Sequence, residues 1–394
     1  MQSVLYAMND KLGGVLTLNS NLARFHKPDD FSHDVLLHHN RLDSDTRWGR
    51  PVWANRQWSF EYTLPVENLY AVLKRLKSIL PIGDEGVLVA NDWLELALAT
   101  EYDLGRTVIQ IVHDEYHLGL AVRHQVVVDA FIAHSKEFFE RLRAALPSRQ
   151  ETIFYLPYGI PIPSRARQHA SGPLRLLFVG RMTENKGVFD LPRIDEILAE
   201  AGVVVHWTLV GDGPRREALR AQWSAPGRVR YVVPEVNEDV MKVAAEHDVF
   251  VLPTRFEGFP VSLLETMGVG LVPVVSDLPG GITEVVIEGS TGYRPAAGDV
   301  EGFARAIIDL NQKRDHLEEM GSACRNLVRQ RFDIQERVTA YQSLFARWRE
   351  LRRARPRKIT LPYGSRLDKP WIPNTVVRLY RFGSRRFRGK PVAW

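Results

Sequence analysis

The segment FEGFPVSLLE, residues 256–265, contains two glutamates, Glu257 and Glu265, whose carboxylates are spaced so that they could bind one ligand. Pro260 suits the first turn of a helix, with Glu257 just before it and Glu265 about five residues into it, on the order of 7 Å along the axis. A helix N-terminus carries free N–H groups and partial positive charge, which suit a phosphate. The segment therefore predicts hydroxyl-binding carboxylates flanking a phosphate, although two solvated glutamates would have the same spacing.

Glu265 has no Lys or Arg three or four positions away, so it lacks the pairing typical of an exposed helix glutamate. A partly buried carboxylate without a partner is costly. This favours the ligand-binding interpretation.

Two cations follow an earlier apolar run. In LRLLFVGRMTENKG, a strand ends at Gly180, and Arg181 and Lys186 come after it. Arginine offers a planar fork to phosphate oxygens, and lysine a compact charge. The pair predicts a phosphate site at the end of a strand, the alternative being a solvated basic loop.

Two glycine turns follow further strands. The GDGP turn at residues 211–214 allows a tight turn before a helix, and we interpret it as mainly structural. The segment LPGGITE, residues 278–284, permits either a close backbone approach to a ligand or a plain turn.

The elements that must position these residues are strands and helices in alternation. Short Val/Ile/Leu-rich runs, such as EGVLVAND, TVIQIVHD, LRLLFVG and DVFVLPT, alternate with amphipathic segments. This pattern predicts parallel sheets covered on both faces. A stretch rich in Pro, Ser, Gly and Arg interrupts the series, and we interpret residues 161–173 as a linker. Two doubly wound α/β domains, residues 1–160 and 174–340, would face each other across a cleft, with residues 341–394 as a C-terminal helical, basic tail.

Together the segments GRMTENKG, VGDGP, FEGFPVSLLE and LPGGITE resemble the retaining glycosyltransferases of family 4, glycosyl transferases group 1, which have the GT-B fold. They occur in the family's order, and the close match runs from about Leu174 to Tyr293. The resemblance implies an N-terminal Rossmann-like domain that binds the acceptor and a second that binds a nucleotide-sugar. It is looser in the first half, where Asn91-Asp92, His113-Asp114 and His134-Ser135 end strands in the expected order.

The resemblance also implies roles for individual residues. Arg181 and Lys186 would bind the donor diphosphate, Glu265 the ribose and Glu257 the transferred sugar, and His113 would stand near the sugar and the acceptor. The other implied donor-binding residues are Gly13, Gly14, Gly180, Gly258, Phe259, Pro260 and Val261. A histidine with no such role is the alternative for His113, and His117 aligns less well.

The sequence departs from the family at three places. The glycine turn reads KLGGVLTLNSN, without the glutamate that often follows. Tyr158 stands where asparagine is usual, and Pro234 stands where glycine is common in the loop expected near the base. The nucleotide is therefore left open between UDP and GDP.

No cofactor and no metal are expected. The D-x-D motif of Asp43, Ser44 and Asp45 lies in a polar loop far in sequence from the phosphate-binding segments. Because cations are already available for the phosphates, no metal is required there. A single cysteine, Cys324, allows neither a disulfide nor a cysteine-rich metal site.

The charge is concentrated in the tail. Residues 351–394 carry 13 Lys and Arg and one acid, Asp368, which gives a net charge of +12. Because the whole chain has a net charge of +5, residues 1–350 carry a net charge of −7. From residue 374, uncharged residues recur at helical spacing among arginines: Val376, Leu379, Tyr380, Gly383 and Phe387. Such a helix can lie on an anionic membrane, or it can pack back onto the first domain. Nucleic acid is not an expected partner, because the body is acidic and no binding motif occurs.

Neither a secretory signal nor an apolar run of about 20 residues is found, so we expect a cytoplasmic protein. The basic tail adds the expectation that it lies peripherally on the inner face of the cell membrane. The predicted function is a retaining, metal-independent glycosyltransferase, a hexosyltransferase of surface polysaccharide biosynthesis. It would move a sugar from a UDP- or GDP-sugar to a glycan or lipid-linked acceptor. The alternatives are a non-catalytic GT-B subunit that binds a glycan or partner, and a GT-B sugar-nucleotide epimerase.

Overall fold

The computed structural model describes residues 1–394 except 12, 44–46, 82, 169–171, 224–226, 234–236, 357–358, 361–362 and 389–394, and it leaves out the side chains of 237–239 and 383–388. Ser44 and Asp45 of the D-x-D motif and Pro234 therefore lie outside the described residues, as do the Phe387 side chain and the end of the 374–394 segment. The chain forms two parallel sheets, which confirms the predicted α/β class.

The first sheet has seven strands in the order β3-β2-β1-β4-β5-β6-β7. The strands are β1 (Gln2–Asn9), β2 (Ser32–Asn40), β3 (Arg56–Tyr62), β4 (Glu85–Ala90), β5 (Arg106–Val112), β6 (Ala130–Ala133) and β7 (Ile153–Tyr155). Strands β1, β4 and β5 are the buried centre, and their apolar runs come from contact with helices on both faces. The edge strand β3 alternates more exposed and less exposed residues, so it lacks the apolar run by which the central strands were predicted.

The second sheet has five strands in the order β10-β9-β8-β11-β12. They are β8 (Leu174–Val179), β9 (Val205–Val210), β10 (Val229–Val232), β11 (Val249–Leu252) and β12 (Val272–Val275). The strand order reverses at β1/β4 in the first sheet and at β8/β11 in the second. Ligands of doubly wound sheets bind outside the carboxyl ends of the strands at such a reversal.

The helices connect and cover these strands. They are α1 (Gly14–Arg24), α2 (Leu69–Ile79), α3 (Trp93–Glu101), α4 (Glu115–His124), α5 (Lys136–Ala145), α6 (Leu191–Glu200), α7 (Arg216–Gln222), α8 (Asn237–Ala244), α9 (Val261–Val269), α10 (Ile282–Val285), α11 (Val300–Gln312), α12 (Arg314–Arg331), α13 (Ile334–Ala346), α14 (Trp348–Leu351) and α15 (Asn374–Arg388). Within the described part of the chain, no helix is long and apolar enough to cross a membrane.

Helix α13 brings the chain back to the first sheet. The phenol of Tyr341 lies 3.1 Å from His134 Nδ1, and Phe345 packs edge-on against Tyr6 with ring centroids 6.3 Å apart. After α13, the Trp348 carbonyl accepts a hydrogen bond of 2.6 Å from the Thr107 hydroxyl. These contacts attach the end of the chain to the first sheet, and one of the two apolar clusters contains residues of both halves.

The last helix, α15, docks on the start of α2. Asp368, just before α15, accepts a 2.8 Å hydrogen bond from the Leu69 backbone N–H and pairs with Arg381 at 2.6 Å. Arg381 also donates to the Pro65 carbonyl at 2.7 Å, and Val377 is fully buried. The tail therefore packs on the first sheet's helices, which is one of the two alternatives predicted for it.

Candidate active site

A cleft of about 400 Å³ lies where the carboxyl ends of the two sheets face each other. Loops after β1, β4 and β5 form one wall, and loops after β8, β9 and β11 form the other. Every residue that the sequence predicted for the site lines this cleft: Gly13, Gly14, His113, Gly180, Arg181, Lys186, Glu257, Gly258, Phe259, Pro260, Val261 and Glu265. Residues far apart in the chain meet here because both strand-order reversals open onto the same space.

Two helix N-termini meet across the cleft. Helix α1 begins at Gly14 and α9 at Val261, and a Cβ placed on Gly14 would lie 3.1 Å from Val261 Cγ2. Neither helix start has a hydrogen bond from a capping side chain in the described chain. A Cβ on Gly13 would meet no atom within 4 Å, so space is open beside this backbone. The two ends together offer uncapped N–H groups and positive dipole to an anion.

The loops that carry the cations are fixed to each other. The Thr254 hydroxyl donates to the Asn185 carbonyl at 2.9 Å, and the Arg255 N–H donates to the same carbonyl at 2.7 Å. Lys186, next in the chain, forms an ion pair with Glu257. Arg181 is exposed at the cleft mouth. The loops after β8 and β11 therefore form one unit.

Glu265 faces the cleft from the second turn of α9. It is 8% exposed and makes no hydrogen bond or ion pair with any residue that the structure describes. Burial raises the pKa of its carboxyl to about 7. A buried carboxylate without partners is costly, and hydroxyl donors from a ligand would satisfy it.

The imidazole of His113 is held at both nitrogens. Asn91 Nδ2 donates to the Ala7 carbonyl at 2.9 Å, so Asn91 Oδ1 turns to His113 Nε2, which lies 2.9 Å away and carries the proton. Nδ1 then accepts from the Tyr158 hydroxyl at 2.9 Å. Burial, with neighbouring His117 and His134, holds the pKa of His113 well below its ordinary value. The ring is neutral and fixed in one tautomer.

Tyr158 has a second contact that the sequence did not reveal. Its ring stacks on His134 at a centroid distance of 3.7 Å, and Tyr341 of α13 lies 3.1 Å from His134 Nδ1. The only sequence signal for this network was the tyrosine at position 158 where the family usually has asparagine. Helix α13 therefore supports the side of the cleft that contains His113, through His134 and Tyr158.

His117, which aligns less well with the family than His113, lies in the cleft wall. Its Nδ1 is 2.6 Å from Asp114 Oδ1, and its Nε2 is 2.9 Å from the Asn91 carbonyl. Burial alone would lower the pKa of His117, but the hydrogen bond and charge of Asp114, with the charge of Asp92, outweigh it and raise that pKa. The wall formed by the first sheet thus carries His117, which favours the charged form, beside His113, which is neutral.

Backbone contact closes the cleft at Gly258. A Cβ there would lie 1.8 Å from the His113 carbonyl oxygen, so only glycine allows the two loops to approach this closely. The Gly258 carbonyl also accepts from the Gly281 N–H at 2.9 Å.

The segment LPGGITE connects the second half of the chain to the first through hydrogen bonds. Glu284 accepts from the Lys136 N–H at 2.5 Å and from the Tyr155 hydroxyl at 3.0 Å, and it does not line the cleft. The Gly280 N–H donates to Glu137 at 2.6 Å. In the GDGP turn, a Cβ on Gly211 would lie 2.0 Å from the Gly180 carbonyl oxygen, consistent with a structural role.

Comparison with known proteins gives one family. A model of the family glycosyl transferases group 1 matches residues 173–313. The glycogen synthase of Mycobacterium tuberculosis is 30% identical over 290 residues, which cover 66% of this chain and 68% of that protein. The amylovoran biosynthesis glycosyltransferase AmsK of Erwinia amylovora is 31% identical over 170 residues, 41% of this chain and only 42% of that protein.

The fold is found in solved structures as well. Alr3699/HepE of Anabaena, solved in complex with UDP and glucose, matches with a TM-score of 0.65 at 16% identity, covering 87% of this chain and 99% of that chain. This similarity confirms the expected GT-B architecture of two Rossmann-like domains.

Proposed function

The chain belongs to the group 1 glycosyltransferases, and from that premise we propose that it is a retaining family 4 enzyme that moves a hexose from a UDP- or GDP-sugar to a glycan or lipid-linked acceptor. The observation that carries the proposal is one cleft in which two helix N-termini meet beside Arg181 and Lys186. The same cleft holds the buried carboxylate of Glu265, which has no partner among the residues that the structure describes. The cleft thus offers positive charge for a diphosphate and an acceptor for hydroxyls.

Transfer breaks the bond between the anomeric carbon and the diphosphate oxygen while negative charge grows on that oxygen. Arg181, Lys186 and the N–H groups at the starts of α1 and α9 stabilise this charge where it develops. Because these groups already supply positive charge, we propose that transfer requires no metal and no cofactor.

Glu265 accepts the ribose hydroxyls, and Glu257 accepts hydroxyls of the transferred sugar. In the structure Glu257 is paired with Lys186. When the donor binds, the Lys186 ammonium turns to the diphosphate and frees Glu257 for the sugar. The ion pair therefore keeps both groups in place until the substrate replaces it.

His113 positions the sugar and does not transfer a proton, because both of its ring nitrogens are engaged by Asn91 and Tyr158. On a front-face route the acceptor oxygen forms the new bond to the anomeric carbon on the side that the diphosphate leaves. The acceptor proton goes to the leaving phosphate oxygen. This route gives retention without a protein base.

The AmsK relative acts in amylovoran biosynthesis and the HepE structure contains UDP and glucose. These similarities support a role in surface polysaccharide biosynthesis with a UDP-sugar donor. The experiment is a calorimetric screen with UDP, GDP and ADP, followed by an assay of nucleoside diphosphate release from each sugar nucleotide with and without glycan acceptors.

Binding of one diphosphate and acceptor-dependent release would support the enzyme. Interconversion of the sugar nucleotide without transfer would favour an epimerase instead. Absence of binding by every nucleotide would favour a non-catalytic subunit and contradict the proposal.

We further propose that the enzyme is cytoplasmic and binds the anionic inner face of the cell membrane through α15. Although Arg381 and Val377 anchor this helix, its other faces expose Val376, Leu379, Tyr380 and Phe382, which are 53–77% exposed. Arg378 is exposed beside them. Exposed apolar side chains next to an exposed arginine suit the interface of an anionic bilayer, where a lipid-linked acceptor would lie.

The test is sedimentation with liposomes that contain anionic lipid or only zwitterionic lipid. The full chain should sediment with the anionic liposomes, and the variant Leu379→Glu with Phe382→Glu should not. A matched control, Leu42→Glu, changes an exposed leucine elsewhere. If the full chain remains in solution with both liposomes, the membrane proposal is wrong.

A further inference from the structure

Three potential metal ligands lie together at the far end of α1 from the cleft. His26 and Asp29 are in the loop between α1 and β2, and His33 is the second residue of β2. Since α1 has 11 residues, this cluster is about 16 Å along the helix from the start that faces the cleft. It is separate from the donor site.

The donor atoms converge. One nitrogen of each histidine and one Asp29 carboxylate oxygen all lie within 4.8 Å of one another. His33 Nε2 is already 3.2 Å from Asp29 Oδ2, and the rings of His26 and His33 are 4.0 Å apart. Ligands around a tetrahedral zinc ion are about 3.4 Å apart, given bonds of about 2.1 Å, so small side-chain rotations would complete the set.

The other ring nitrogens are occupied in the manner typical of metal-binding histidines. His26 Nδ1 lies 2.8 Å from the Ala23 carbonyl, so it carries the proton and leaves Nε2 with a free lone pair. His33 Nδ1 lies 3.1 Å from the Tyr6 hydroxyl, whose oxygen can accept a hydrogen bond from Nδ1–H when Nε2 binds a metal. Such outer hydrogen bonds fix the ring orientation and the tautomer of a ligand.

The loop that holds the cluster is attached to the returning helix α13. The Gln342 side chain accepts from the Lys27 N–H at 2.9 Å and donates to the Lys27 carbonyl at 2.7 Å. Gln342 also donates to the Asp29 carboxylate. An ion bound by Asp29 would therefore rigidify the point where α13 rests on the first half of the chain.

We propose that His26, Asp29 and His33 form a structural site for a divalent transition metal of the zinc class. Two imidazoles and one carboxylate select zinc-like ions over magnesium and calcium, which prefer oxygen ligands alone. Water would fill the fourth position. The sequence analysis predicted no metal because the phosphates of the sugar donor already have cations to bind them. The site proposed here is separate from the donor site and plays no part in sugar transfer.

The test uses the full chain without an affinity tag, freed of metal by a chelator. Titration with Co²⁺ should give the visible absorption of a four-coordinate ion that saturates at one equivalent, and Zn²⁺ should displace it. Zn²⁺ in excess should raise the Tm by about 3 °C or more. His26→Gln and, separately, Asp29→Asn should each weaken Co²⁺ binding at least tenfold.

The matched control is His316→Ala, which removes an exposed histidine lying 3.5 Å from Glu319, a pair with no third ligand among the described residues. This variant should bind Co²⁺ like the parent chain. No saturable spectrum at one equivalent would overturn the proposal. So would unchanged affinity in either folded ligand variant, or an equal loss in the control. Nucleotide binding is measured in parallel, so failure here is distinguishable from failure of the donor site.

Discussion

Lys186 and Glu257, 71 residues apart in the chain, form an ion pair in the wall of the cleft. Both side chains are largely buried, at 21% and 12% exposure. The pairing follows from the attachment of the loop after β8 to the loop after β11. Two groups predicted to bind different parts of one ligand therefore form an ion pair with each other.

Replacing Lys186 by alanine should weaken binding of the cognate nucleoside diphosphate at least tenfold, because a charge-assisted contact is lost and Glu257 remains unpaired beside the phosphates. The kcat should fall by about two orders of magnitude. Calorimetry and initial rates measure the two effects. Lys313→Ala, which breaks the exposed pair with Asp309, is the control and should change neither.

The double variant Lys186→Ala with Glu257→Gln should bind the diphosphate better than Lys186→Ala alone, since the repulsive charge is removed. Equal affinity in the two variants would argue against a location of Glu257 beside the phosphates.

Glu265→Gln should stabilise the ligand-free protein at pH 8 and much less at pH 5. The folded-state pKa is about 7, above the ordinary value of 4.5, so the folded protein retains a proton that the unfolded chain has lost between these values. The parent chain thus loses stability as pH rises from about 4.5 to 7, and glutamine does not. The gain should be roughly 2 kcal/mol larger at pH 8 than at pH 5.

Denaturant unfolding of both proteins at the two pH values measures this difference. At pH 8 the same variant should bind the nucleotide more weakly, because an amide replaces a charged acceptor for the ribose. A variant that is destabilised equally at both pH values would show that Glu265 is not a buried, unpaired carboxylate.

Tyr158→Phe should lower the free energy of unfolding by about 1–3 kcal/mol, because it leaves His113 Nδ1 buried without its donor. The imidazole would also lose its fixed tautomer, so kcat should fall while nucleotide affinity stays within twofold. Tyr231→Phe removes a comparable 2.8 Å hydrogen bond, to the Trp223 carbonyl, outside the cleft and serves as control. Unchanged kcat in Tyr158→Phe would contradict the positioning role of His113.

Two glycines of the cleft should respond differently to alanine. Gly13 has extended backbone and open space beside it, so Gly13→Ala should leave the Tm unchanged and weaken donor binding at least tenfold. Gly258→Ala would place a methyl group 1.8 Å from the His113 carbonyl oxygen and should cost about 2–3 kcal/mol of stability. Thermal unfolding and calorimetry separate the effects, and a destabilised Gly13→Ala would mean that the open space is filled by protein.

Arg381→Ala should release α15 from the first sheet's helices. Asp368, with a side chain 1% exposed, would be left as a buried charge without its cation, and removing one partner of such a pair typically costs about 3–5 kcal/mol. Limited proteolysis should cut between 352 and 374 much faster than in the parent chain. Arg378→Ala, on the exposed side, is the control, and equal cleavage rates would show that Arg381 does not anchor the helix.

Much of this molecule was determined by the sequence alone. The central strands are buried on both faces, so nearly every residue in them is apolar. This apolar run is visible in a short stretch of sequence, so the two parallel sheets were predictable. The carboxyl ends of parallel strands lie at the same edge of a sheet. Glycines, cations and carboxylates that directly follow such strands could therefore be predicted to lie close together. All the predicted site residues accordingly line one cleft.

Strand β3 and the site's internal bonding were decided only by the tertiary structure. An edge strand such as Arg56–Tyr62 needs no continuous apolar run, so it has no strong local signal. The pairing of Lys186 with Glu257, the tautomer of His113 and the burial of Glu265 depend on groups from distant segments. Charge, tautomer and pKa are set by what surrounds a side chain, and only the packed chain supplies those surroundings.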